Sequence, residues 1–287
     1  MLAILILPRR LSACSSLKKV IAFIDVLGFK EHVRAAENGS GMSLSELLEL
    51  VRKLGAPEDR DRFVKHGPTT GPQSAFVLRD LDFRVTQISD CVIVSAEISP
   101  SGLINLLFHC WGAAIQLLYK GVLCRGFITR GSVYHTDSQV IGSGYQNAYE
   151  NERAVSAFAH GPEDRGTPFV EVDPVVCEYV NAHGDQCVRE MFSRMVRTEG
   201  GVTALFPFQS IGHSFIIDAR FDARREFAAN QKVREGIAML KERVLAMVDK
   251  SNQNAMRKVG HYIRALDGQL EICERTDEVI RKLGERG

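Results

Sequence analysis

The chain has 287 residues, 45% of them hydrophobic, and carries 36 basic against 35 acidic side chains for a formal net charge of +1. That balance provides no global field to recruit nucleic acid or an anionic membrane, so an anionic ligand must be captured locally, and the length allows one large domain or a domain with an appendage. Seven cysteines without a C-x-x-C pair, most of them among apolar residues, fit buried thiols in a reducing cytosol rather than a disulfide framework.

In the opening MLAILILPRR the positive charges follow the apolar run and no small-residue cleavage site closes it, so no cleaved signal is expected and residues 1–17 add little to the pattern. Residues 19–27, KVIAFIDVL, are apolar except for Lys19 and Asp25, which predicts a central strand covered on both faces. A helix is predicted from Phe29, broken at Asn38-Gly39-Ser40-Gly41 and resumed at Ser43, where Ser43 and Glu46 make a capping box ahead of Leu44, Leu47, Leu48, Val51 and Leu54. Residues 55–74 read as a surface loop. FRVTQIS and CVIVSAE are strand-like and meet at Ser89-Asp90, a predicted hairpin with an acid at its tip.

The apolar stretch Leu103 to Leu118 is interrupted by Asn105, His109, Gly112 and Gln116 and falls short of the roughly 18 to 20 residues of a bilayer span, which predicts a buried helix over 102–120. Strands over 122–131 and 139–144 and a helix from near Tyr145 complete the order β-α-β-β-α-β-β-α. Further strands are predicted at 168–172 and 213–218, with short helices between them. From Asp222 the pattern becomes helical. Met256, Val259, Ile263, Leu266, Leu270, Cys273, Ile280 and Leu283 form a heptad stripe that Asp277 interrupts. Its partner is either the preceding helix, with its own stripe of Phe227, Val233, Ile237, Leu240, Val244 and Met247, or the same helix of a second chain.

A carboxylate within a strand of Ile, Ala, Phe and Val is costly to desolvate unless positive charge compensates it, and two such acids, Asp25 and Asp90, invite a divalent cation. Magnesium and manganese favour carboxylate oxygens and share coordination with substrate phosphates. The segment from Asp25 to Lys30 offers backbone N–H groups at a strand-to-helix junction, a place that attracts phosphate. Histidines 135, 160, 183 and 213 lack zinc-ligand spacing, and no P-loop, G-x-S-x-G or G-G-[DE]-E-F motif is present.

Four segments carry a resemblance. Phe23-Ile24-Asp25-Val26-Leu27-Gly28-Phe29 resembles the first metal motif of class III nucleotidyl cyclases, and Ile88-Ser89-Asp90 stands where that family has Ile-Gly-Asp. Cys124-Arg125-Gly126-Phe127-Ile128-Thr129-Arg130-Gly131 is similar to its Arg-x-Gly-Ile-x-x-Gly strand, and the segment from Gly142 to Glu152 to its Gly-x-x-x-Asn-x-Ala-x-Arg-x-Glu helix start. The likeness covers about residues 18–172. It implies an α+β fold with a ferredoxin-like βαββαβ core and extra strands over 18–220, followed by a C-terminal helical region over 221–287.

The resemblance also implies roles. Asp25, Asp90 and Val26 would hold two divalent ions, Mn2+ or Mg2+; Val26, Leu27, Gly28, Phe29, Arg125 and Gln146 would meet the nucleotide. Arg125 is equally readable as the buried partner of a carboxylate. The transition-state Asn falls on Gln146 and the Arg on Glu150, with Arg153, one turn further along, the candidate substitute and otherwise readable as a solvated helix residue; the base-reading positions fall on Thr86 and Gln139, matching neither adenylate nor guanylate cyclases. Ala148-Tyr149-Glu150 and the helical tail resemble the pyrimidine cyclases of bacterial Pycsar antiphage systems, whose product activates a separate effector. The expectation is a cytoplasmic homodimer with active sites at the interface, converting UTP to cyclic UMP and pyrophosphate. CTP is the alternative substrate, and a degenerate nucleotide-binding dimer the rival; neither nucleic acid nor membrane is an expected partner.

Overall fold

A computed structural model describes residues 17–55, 81–213 and 221–285. The apolar run ending in Asp25 is β1 (Leu17–Val26), and it lies inside the sheet between β3 (Cys91–Glu97) and β4 (Cys124–His135), antiparallel to both. β2 (Arg84–Ile88) pairs with β3, and β6 (Val170–Val172) runs parallel to β4. With β7 (Val196–Glu199) and β8 (Val202–Leu205) the order is β2-β3-β1-β4-β6-β8-β7, and the two-residue β5 (Val140–Ile141) pairs with the end of β4.

The helices explain why β1 reads as apolar on both faces. α1 (Phe29–Glu37) and α2 (Leu44–Leu54) follow β1, and α2 begins with the predicted box: Ser43 N–H donates to Glu46 Oε2 at 2.9 Å, and Glu46 N–H to Ser43 Oγ at 3.3 Å. α3 (Pro100–Tyr119) covers one face, in one cluster with Val20, Ala22, Ile24 and Val26. α4 (Ser143–Glu152) covers the other, where Ile21, Phe23, Ile93 and Val133 meet Ala148. The period-two alternation thus separates two cores, and Asp25 belongs to the α4 face. Taken in chain order, β1, α1–α2, β2, β3, α3 and β4 with strand order β2-β3-β1-β4 make a ferredoxin-like βαββαβ core within an α+β protein that ends in helices.

α3 is the one helix among the described residues long and apolar enough to cross a membrane, yet 72% of its most apolar 18-residue window is buried inside the protein. Its polar interruptions have partners: Asn105 Nδ2 donates to Ser101 O at 2.7 Å, and His109 Nε2 lies 3.2 Å from Leu54 O. α5 (Pro174–His183) and α6 (Gln186–Met195) lie between β6 and β7.

α7 (Ala223–Ala246) and α8 (Gln253–Gly284) pair with each other, so the stripe on α8 finds its partner in the preceding helix of the same chain. Ile237, Leu240 and Val244 share a cluster with Val259, Tyr262, Leu266 and Cys273, and with Leu123, Phe169, Phe206 and Phe208 from the sheet side. The interruption at Asp277 is matched by α7, where Asn230 Nδ2 donates to Asp277 Oδ1 at 2.6 Å and Arg234 forms an ion pair with Asp277.

Four expectations need correction or placing. β4 runs to His135, beyond the predicted end at 131, because Val133 is fully buried against Leu17's strand and Tyr134 still pairs with Ile141; the predicted strand 139–144 shrinks to Val140–Ile141, and α4 begins at Ser143. The β7–β8 hairpin was not expected, although Gly200-Gly201, with φ of 58° and 83°, is a two-residue turn signal. Apart from Gly55 and His213, the loop at 55–74 and the strand at 213–218 lie outside the described residues.

α4 reaches the sheet through two glycines: a Cβ on Gly131 of β4 would stand 2.6 Å from the Gly144 Cα, closer than any side chain tolerates. Gly131→Ala is therefore expected to lift α4 and destabilise the protein by about 2 kcal/mol or more in denaturant unfolding. An unchanged midpoint would show that the helix is not seated there.

Candidate active site

Strand register builds the site. β1 ends just as the β2–β3 hairpin turns, so Asp25 pairs with Cys91, the neighbour of Asp90. Ser89 takes the turn in the left-handed region, with φ 55°, and Val26 N–H donates to the Asp90 carbonyl at 3.1 Å, which ties the strand end to the hairpin tip. The ligand atoms of Asp25, Asp90 and Cys91 lie within 4.8 Å of one another. On the other side of β1, Asp25 pairs with Arg125.

The electrostatics are under-compensated. Burial raises the Asp25 pKa above its ordinary value, and repulsion from Glu152 and Asp90 adds to it, against the hydrogen bond from Cys91 and the attraction of Arg125. Arg125 is itself committed to Glu152, Nε to Oε1 at 2.5 Å, and that glutamate is buried. Three carboxylates thus face one guanidinium. Burial, together with the adjacent carboxylates, pushes the Cys91 thiol far up, so it stays protonated and donates to Asp25 Oδ1 at 3.2 Å. Two half-buried carboxylates short of positive charge, beside a thiol that is not a thiolate, suit a hard oxygen-loving divalent cation and not a soft one.

The turn after Asp25 offers fewer amides than the sequence suggests. Val26 N–H goes to Asp90 O and Leu27 N–H to Leu123 O at 2.9 Å, whereas the amides of Gly28 and Phe29 donate to no backbone carbonyl among the described residues. Gly28 caps α1 with φ 75°. Beside this turn is a cavity of about 210 Å³.

The remaining expected residues stand in two other places. Thr86 and Gln139 gather at one turn: Thr86 Oγ1 donates to Thr136 O at 3.3 Å and lies 2.9 Å from His135 Nε2, while Gln139 N–H donates to Thr136 Oγ1 at 3.1 Å. His135 also lies 2.7 Å from Ser95 Oγ through Nδ1, and burial, with Lys19 and Arg84 nearby, lowers its pKa to about 4. Gln146, Glu150 and Arg153 fall at i, i+4 and i+7 on the exposed side of α4 and its C-cap, where Arg153 Nη2 donates to Tyr149 Oη at 3.3 Å. Among the described residues, no hydrogen bond or ion pair joins Thr86, Gln139, Gln146 or Arg153 to Asp25 or Asp90.

Sequence reasoning missed Cys91, Lys258 of α8, which lines the cavity, and a second cluster. His160, Asp164 and His261 also bring ligand atoms within 4.8 Å of one another, but Arg264 meets His160 Nδ1 and Arg257 lies 3.6 Å from Asp164. With the Arg257 guanidinium and His261 Nε2, at 3.0 Å, already against the single carboxylate and Arg264 on His160, this cluster is a clamp between α8 and the 160–164 loop.

No protein-family model matches the sequence, and no curated protein matches it. Among solved structures, the chain is similar to a bacterial light-regulated adenylyl cyclase at 13% identity and a TM-score of 0.34, covering 57% of this chain and 44% of that one. It is similar also to a class III adenylyl cyclase-like ATP-binding protein from Pseudomonas aeruginosa at 11% identity and a TM-score of 0.32, covering 61% and 40%. The chain spans less than half the length of either.

A raised pKa means that folded Asp25 holds its proton more tightly than unfolded Asp25, so the contribution is fully present below the unfolded value and is lost as pH rises through the folded one. Asp25→Asn removes that loss. Without divalent cation at pH 7 the variant is expected to melt above wild type by on the order of a few degrees. The gap closes as pH falls toward the ordinary 3.8, and manganese raises the melting temperature of wild type only. Equal melting at pH 7 would show that the carboxylate is under no electrostatic load.

Proposed function

We propose that the chain is a metal-dependent pyrimidine nucleotide cyclase of the class III type, converting UTP to 3′,5′-cyclic UMP and pyrophosphate, with CTP as the alternative substrate. One observation carries the reading: the acid pair Asp25 and Asp90, short of positive charge, stands just before the amides of Gly28 and Phe29, which donate to no backbone carbonyl among the described residues. In this reading residues 18–220 form the cyclase unit and 221–287 a helical region packed on it. The same resemblance makes the product a second messenger of antiphage defence, acting on a separate effector in the cytoplasm.

Asp25 and Asp90, with the Val26 carbonyl, would hold two divalent ions, which when bound lower the pKa of the ribose 3′-hydroxyl and neutralise the triphosphate. The chain's own residues do the positioning. Gly28 and Phe29 donate N–H groups to phosphate oxygens, and Leu27 shapes the turn on which they sit. Arg125, fixed by Glu152, supplies a standing positive charge beside Asp25. The 3′-oxygen loses its proton to water and bonds to the α-phosphorus as the bond to the bridging oxygen of the departing pyrophosphate breaks. Because both groups belong to one substrate, folding the nucleotide and neutralising charge are the main demands.

Thr86 and Gln139 meet the base, and Gln146 and Arg153 face the phosphates, from a second protomer in a head-to-tail homodimer. Support for this comes from the exposure of Gln146 and Arg153, and from the lack, among the described residues, of any hydrogen bond or ion pair between the four and either acid. A second reading, a nucleotide-binding dimer without turnover, is favoured by Glu150, an acid on the same exposed stripe where the resemblance expects an arginine.

Incubation with each of ATP, GTP, CTP and UTP in manganese, followed by separation of products, tests both readings. Cyclic UMP and pyrophosphate are expected from UTP, with Asp25→Ala and Asp90→Ala each lowering turnover by about 10²-fold or more. Turnover of purines alone, or unaltered turnover in either variant, would overturn the first reading; nucleotide binding with no pyrophosphate release would establish the second.

A further inference from the structure

Lys258 of α8 is half-buried, and among the described residues it makes no hydrogen bond and no ion pair. A lysine in that position is ordinarily matched by an anion. Burial lowers its pKa, Arg125 lowers it further, and Glu152 and Asp25 attract it from beyond contact range. It faces the cavity of about 210 Å³, which Leu27, Gly28 and His32 line from the β1–α1 side and Asn252 and Ala255 from the α7–α8 side. Among the described residues, one wall thus carries an amide, that of Gly28, with no backbone acceptor, and the other an ammonium with no hydrogen bond or ion pair.

The cavity selects its ligand in three ways. Its volume is below the roughly 300–1,000 Å³ of a pocket that encloses a whole drug-sized molecule, so it suits part of a nucleotide. Its Leu27–Gly28 wall belongs to the turn that follows Asp25, whose charge acts on Lys258, and an acid there repels a bare anion and accepts one that arrives with divalent cations, as a polyphosphate does. The two acids among its lining residues, Glu31 and Asp249, are exposed to solvent, where screening weakens their effect.

We propose that this cavity takes the terminal phosphates of the nucleoside triphosphate, with Lys258 and the Gly28 amide as donors, so that the C-terminal helical pair completes the active site of its own chain. The proposal rests on the cyclase reading for the identity of the nucleotide. It also gives the phosphates a cation free to bind them, since Arg125 is held by Glu152.

Calorimetric titration of the full chain with inorganic tripolyphosphate in manganese tests this without requiring turnover, alongside cyclic UMP formation from UTP. Lys258→Met and, as a second variant, Lys258→Gln are each expected to weaken tripolyphosphate binding and raise KM for UTP by at least about tenfold, with Lys258→Arg restoring most of both. Removing an unpaired half-buried charge leaves the melting temperature unchanged or higher. Tripolyphosphate binding as tight in the folded variants as in wild type would overturn the proposal, and so would cyclisation indifferent to them. If no triphosphate is cyclised yet tripolyphosphate binding still depends on Lys258, the phosphate site stands and the cyclase reading falls.

Discussion

Asp25 and Asp90 repel each other at the ends of two paired strands, and the rest of the site is arranged around that repulsion. Burial, Glu152 and the charge of Asp90 all oppose ionisation of Asp25, while the Cys91 thiol and Arg125 only partly relieve it. The register that brings them together is fixed by the alternation of β1, with Val20, Ala22, Ile24 and Val26 on the α3 face and Ile21, Phe23 and Asp25 on the α4 face. A slip of one residue would turn the carboxylate into the apolar α3 core, with Ile104, Leu107 and Leu117. The apolar residues of β1 therefore specify the electrostatics of its one acid.

Stability and site chemistry draw on different parts of the molecule. Two large apolar clusters, one under α3 and one between the sheet and α7–α8, hold the architecture, and neither needs the acids. The load at Asp25 can persist because the surrounding strands are over-determined, a division expected of a functional site. The contact of Gly131 with Gly144 belongs to the same logic, since it seats α4 so that Glu152 reaches Arg125 beneath the acid pair.

What the sequence reveals is what lies in local pattern. Asp25 stands out because it interrupts an apolar run, Asp90 because it tips a hairpin, and Ser43 with Glu46 because the capping box is a four-residue device. The α8 stripe is readable for the same reason, although its partner, α7, is a tertiary fact. Cys91 is invisible as a donor until pairing with Asp25 is known, and Lys258 lies more than two hundred residues from the turn it faces. The extension of β4 to His135 follows from pairing with Leu17 and Ile141, not from its own composition. Thr86 and Gln139 emerge only through the family resemblance, and although Thr136-Asp137-Ser138 reads as a turn, that it gathers the two is a tertiary fact.

The central claim is that the two acids share cations over a nucleotide. A crystal structure of the protein with manganese and a non-cyclisable UTP analogue, with anomalous scattering used to place the metal, tests it most directly. The account predicts manganese bound by carboxylate oxygens of both Asp25 and Asp90 and by the analogue's phosphates. Manganese bound elsewhere, with Asp25 and Asp90 joined by a shared proton and no phosphate at Gly28, would contradict it.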